Sequence, residues 1–113
     1  MNFVVKEVIL SMHFDQYRAD QIAPQEANTD VIVIVDEQEN DEIQRVKYIA
    51  SFFAYGNIDQ LITQNQKAGN FLNGTYFYAK NMLLIKDCSK ATIVKVIDDL
   101  IEDGSFREVF LKS

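Results

Sequence analysis

Residues 30–55 read DVIVIVDEQENDEIQRVKYIASFFAY, and the fold turns on how they are parsed. Four further β-branched residues follow Val31 with no polar interruption. Such a run suits a central strand covered on both faces. Residues 36–42, DEQENDE, read as a charged turn. Residues 43–55 fit two periods. Ile43, Val46, Ile49 (or Ala50) and Phe53 are spaced for one face of a helix. Val46, Tyr48, Ile49, Phe52, Phe53 and Tyr55 are strand-forming types. We read 43–55 as a strand that forms a hairpin with 30–35. A single helix over 41–64 would carry Gly56 in its middle, at a cost of about 1 kcal/mol relative to alanine.

Toward the C-terminus, Asn57 is placed to cap a short helix, NIDQLITQNQKA, with Ile58, Leu61 and Ile62 on its apolar stripe and Gly69 as its stop. Asn73-Gly74 carries the strongest two-residue turn chemistry in the chain. Residues 76–78 and 82–85 read as extended. Ser89 then caps the best-marked helix, whose stripe is Ile93, Val96, Ile97, Leu100 and Ile101 and whose stop is Gly104. Leu100, in the middle of that stripe, reads as core. Phe106 to Leu111 alternate, which predicts a last strand. Toward the N-terminus, FVVKEVILSM (residues 3–12) reads as a strand. Residues 13–29 are a polar connection that holds the only proline, Pro24.

The order strand, strand, strand, helix, strand, helix, strand predicts an α+β fold in a single domain over residues 1–113. It implies a mostly antiparallel sheet of about five strands with two helices packed on one face. If 41–64 were helical, the order would become the split βαβ of ferredoxin-like domains with an extra N-terminal strand.

Seventeen acidic residues against eleven basic give a net charge of −6. That balance argues against nucleic acid as a partner, because such binding depends on cations that displace counterions from phosphates. It argues equally against an anionic membrane surface. No apolar run approaches the roughly 20 residues of a membrane helix. Lys6 and Glu7 break the N-terminal run, so it does not read as a signal peptide. With one cysteine, Cys88, no intrachain disulfide can form, and the expected compartment is the cytoplasm.

Catalytic constellations are not legible. Cys88 precedes a helix start, which favours a thiolate, but the only histidine, His13, is far away in sequence. We read Cys88 as structural. Asp36, Gln38 and Asn40 imitate the first positions of a calcium loop, yet Asp41 stands where glycine is needed and Lys47 where a bidentate glutamate is needed. The four glycines lack phosphate-loop spacing. No cofactor, metal or catalytic residue is therefore expected. Phe52, Phe53, Phe71 and Phe77 read as core, with Tyr55 and Tyr78 as the aromatics able to reach a surface.

The remaining feature is the acidic run Asp36, Glu37, Glu39, Asp41 and Glu42. We expect these five carboxylates to meet a basic protein partner. The expected function is a noncatalytic protein-binding module, of which an immunity protein or antitoxin-like inhibitor is one concrete version. The alternative is a small-molecule-sensing or oligomeric regulatory domain, in which homo-oligomers form across a two-fold axis.

Overall fold

The computed structural model describes residues 2–12 and 24–113. His13 and most of the polar connection lie outside them. The sheet is built on one hairpin. β2 (Asn28–Glu39) and β3 (Glu42–Ala54) pair antiparallel in unbroken register, from Asn28 opposite Phe53 to Glu39 opposite Glu42. Only Asn40 and Asp41 lie between them, with φ of 51° and 65°. Two successive left-handed residues make a type I′ turn, whose twist matches that of the strands, and Asn and Asp tolerate it well. The strand reading of 43–55 therefore holds. The ferredoxin-like order, which needed a helix there, does not. The charged turn shrinks from seven residues to two, because Asp36 to Glu39 and Glu42 belong to the strands.

β1 (Asn2–Met12) joins the free edge of β2, antiparallel, with a bulge between Val5 and Glu7. On the other edge of β3, β4 (Met82–Ile85) runs parallel to Ser51–Ala54, and β5 (Leu111–Lys112) runs antiparallel to Tyr48 and Ile49. The result is a five-stranded, mostly antiparallel sheet in an α+β fold. A parallel neighbour requires a crossover. Here α1 (Tyr55–Ala68) and the short α2 (Phe71–Gly74) provide it.

One face of the sheet is the core. Val31, Val33 and Val35 of β2 lie opposite Ala50, Tyr48 and Val46 of β3, all buried. α3 (Lys90–Asp103) buries Ile93 and Ile97 in the same core. Its ends form as expected. Ser89 Oγ accepts from the Thr92 amide at 3.3 Å, and Gly104 takes φ 85°. Leu100 is only half-buried at the core's margin, so Ile97 is the centre of the helix's contact. β2 is central in the strand order, but Ile32 and Ile34 on its other side are only half-covered.

Three local differences have physical causes. Phe106 to Val109 form a helical turn, α4 (Phe106–Val109), rather than a strand. The turn stacks Phe106 on Phe110 at 4.6 Å with both rings buried, whereas an extended chain would hold them on one face but about 13 Å apart. α1 starts at Tyr55, so Asn57 does not cap it. Buried instead, the Asn57 amide accepts from Asn28 Nδ2 at 3.0 Å and donates to the Glu26 carbonyl at 3.1 Å. It thereby ties the helix to a 3-10 turn (Pro24–Glu26). Gly56 allows that approach, since a Cβ there would stand 2.7 Å from the Gln25 carbonyl oxygen. Finally, Asn73-Gly74 is part of a left-handed run, Phe71 to Gly74, with positive φ at all four residues.

Phe52 joins the main core. Phe53, Phe71 and Phe77 form a separate aromatic cluster, with Phe77 edge-on to both others at 5.5 and 5.4 Å. Tyr55 and Tyr78 are exposed.

Candidate functional site

The end of the β2–β3 hairpin carries all five acidic candidates, and strand alternation separates them. Gln38 to Arg45 are eight consecutive exposed residues, so this end of the hairpin projects beyond the packed core. Glu39, Asp41 and Glu42 sit on it, and no ion pair is formed by any of them among the described residues.

Asp36 points to the outer face. Arg45 Nε donates to its Oδ1 at 3.0 Å, Arg45 Nη2 to its Oδ2 at 3.4 Å, and Lys6 Nζ lies 3.8 Å away. The Arg45 hydrogen bonds and charge hold its carboxyl below the usual carboxylate range. Two cations thus outweigh one anion at this point.

Glu37 points inward and is 5% exposed. It cannot present its charge to a partner in the way the sequence suggested. The Tyr48 hydroxyl donates to its Oε1, Arg107 Nη2 approaches that oxygen at 3.4 Å, and Lys112 Nζ lies 3.9 Å from Oε2. Arg107 also covers the Phe3 ring at 5.1 Å. Burial first, then the hydrogen bond to Glu37, pushes the Tyr48 phenol up. A shallow cleft of about 340 Å³ opens beside this group, lined by Glu37, Glu39, Tyr48, Arg107, Phe110 and Lys112. It is where a small-molecule role would find room, but the cations that could recognise an anion already face Glu37. Sequence reasoning missed this network, although parity was a usable clue: counting by twos from Val31 puts Glu37 on the face of Val33 and Val35.

Residues 36–39 and 42–47 are paired strand with only Asn40 and Asp41 between them, so the twelve-residue loop that a calcium site would need from Asp36 to Lys47 does not form. Among the described residues no group of three or more His, Cys, Asp or Glu side chains is close enough to hold a metal. Cys88 is fully buried, and its thiol faces the carbonyls of Ala27 at 3.4 Å and Phe52 at 3.9 Å. Desolvation pushes its pKa up to about 11, against 9.0 for a free thiol. Desolvation outweighs an opposing pull from the Ala54 backbone, and the Asp87 charge beside the thiol pushes the same way as desolvation. No helix of the described residues is long and apolar enough to cross a membrane.

The outer face of the sheet is a second surface that the sequence reading did not single out. Ile9, Ile32, Ile49 and Leu111 stand side by side on β1, β2, β3 and β5. Ile9 is 38% and Leu111 42% exposed. No family model, curated protein or solved structure matches the chain.

Proposed function

We propose that the chain is a noncatalytic protein-binding module that meets a basic partner through the projecting end of the β2–β3 hairpin. One observation carries this reading. The carboxylates are sorted: Asp36 and Glu37 are neutralised within the chain, while Glu39, Asp41 and Glu42 stand uncompensated at the exposed end. Charges in that position raise the encounter rate with an oppositely charged surface and contribute little to folding. The burial of Cys88, whose thiol is pushed up by desolvation, supports the noncatalytic reading. An inhibitor of a basic enzyme, in the manner of an immunity protein or antitoxin, is the version this surface fits best. A lone buried thiol suits the reducing cytoplasm.

The test is kinetic. A partner is captured from the native host, and its association is followed with wild type and with Glu39→Gln/Asp41→Asn/Glu42→Gln at low and high salt. The triple variant should associate roughly tenfold more slowly at low salt and lose most of the salt dependence. On-rates that match wild type at both salt concentrations would refute a role for the hairpin end.

A further inference from the structure

The outer sheet face is patterned for a partner with the same pattern in reverse. Its rows can be read from the strand register. Ile9, Ile32 and Ile49 form one row across β1, β2 and β3, extended by Leu111 on β5. Glu7, Ile34 and Lys47 form the next row. In that row the acid is on β1, the base is on β3, and an isoleucine lies between them. Glu7 and Lys47 are both exposed, and neither forms an ion pair among the described residues. Opposite paired residues share a face, so both point the same way as the half-covered Ile34.

We infer that this face binds a second copy of the same chain, sheet on sheet, about a two-fold axis running along β2. Such an axis keeps the strand direction and exchanges left for right. β1 of one copy then lies over β3 of the other. Glu7 meets Lys47 and Lys47 meets Glu7, giving two ion pairs from one pair of residue types. Ile9 meets Ile49 twice, and Ile32 and Ile34 pack on their own symmetry mates. A copy of the chain satisfies all these pairings at once, which a partner of uniform charge does not.

Like charges on the axis do not prevent this. Asp36 brings its own two cations, Lys6 and Arg45, and Asp30 accepts from the Ser51 hydroxyl at 3.0 Å. The acidic hairpin ends fall at the same end of the dimer. Stacked sheets lie about 10 Å apart and cross at about 30°. Asn40 is eight residues beyond Ile32, or about 26 Å at roughly 3.3 Å per residue, so the two ends diverge to about 16 Å. That is twice the Debye length of about 8 Å at physiological salt.

Analytical ultracentrifugation of the full chain up to about 200 µM tests this, since a micromolar Kd gives mostly dimer there. Wild type should sediment as a dimer. Ile32→Lys should weaken the dimer at least roughly 100-fold, because it places two like charges on the axis in an apolar row; circular dichroism confirms that the variant is folded. Glu7→Lys alone and Lys47→Glu alone should each weaken it roughly tenfold at low salt. The swap Glu7→Lys/Lys47→Glu should restore wild-type affinity, since the pattern is reversed but still self-complementary. A wild type that is monomeric throughout, a dimer that survives Ile32→Lys, or a swap no better than the single variants would each overturn the inference.

Discussion

Replacing Glu37 by leucine should destabilise the protein by about 2–4 kcal/mol. The figure follows from the carboxylate's surroundings. The Tyr48 hydroxyl is buried, with the residue 2% exposed, and it donates to Glu37. Leucine leaves that hydroxyl without an acceptor, at a cost of about 1–3 kcal/mol. Arg107 and Lys112 lose their shared anion, but their side chains are 46% and 57% accessible, so each pair contributes only about 0.2–1 kcal/mol. For a chain of this length the melting temperature should fall by about 8–16 °C. Glu37→Gln keeps an oxygen for the tyrosine and should cost only about 1 kcal/mol. Tyr48→Phe added to Glu37→Leu should recover part of the loss, because the stranded hydroxyl is then gone. Urea denaturation followed by circular dichroism measures all three. If Glu37→Leu falls within about 0.5 kcal/mol of wild type, Glu37 is a solvated carboxylate like its neighbours, and the network around it does not hold the fold.

Ile97→Ala should cost about 2–5 kcal/mol in the same assay, as a fully buried truncation in the core does, while Leu100→Ala at the core's margin should cost clearly less. Equal losses would mean that α3 is rotated about its axis, with both side chains facing the core alike. Cys88 should react with a thiol reagent at pH 8 at least roughly 100-fold more slowly in the native protein than in urea, since reaction requires local opening. Its pKa is raised in the folded state, from 9.0 to about 11. Its contribution to stability is therefore complete below pH 9 and is lost as pH rises through about 11. A native labelling rate equal to that in urea would place the thiol at the surface.

The hairpin was legible in the sequence because two cues agreed. Five β-branched residues made β2 a strand, and Gly56 was a poor mid-helix residue in the rival reading. The boundaries were not legible, since a run of carboxylates looks like a turn whether or not the strands continue through it. Ser89 and Gly104 marked α3 correctly because caps are local chemistry. Phe106 to Leu111 misled because six residues are too few to separate a period of two from one of 3.6. The left-handed run at Phe71 to Gly74 was beyond reach from sequence, since nothing in Phe71 or Leu72 favours that backbone locally. Asn57 failed as a cap for a related reason: its partners, Asn28 and Glu26, are 29 and 31 residues away. The outer-face rows depend on the register of four strands, which sequence order does not supply.

The two-residue turn at Asn40 and Asp41 also bears on how the molecule assembles in time. β3 pairs with β2, β4 and β5, so most of the sheet waits for it. β2 and β3 close over the shortest loop a hairpin permits, and such hairpins form in roughly 1–10 µs. Every other pairing must first close a longer loop, with β4 returning past α1 and β5 past α3. The hairpin is thus the natural nucleus, and folding should proceed outward from its turn. A backbone lesion at Asn40 or Asp41 then acts mainly on the rate of folding and little on the rate of unfolding. The residues that lead a newly made chain into its fold would also be those that its finished form holds out furthest from the core.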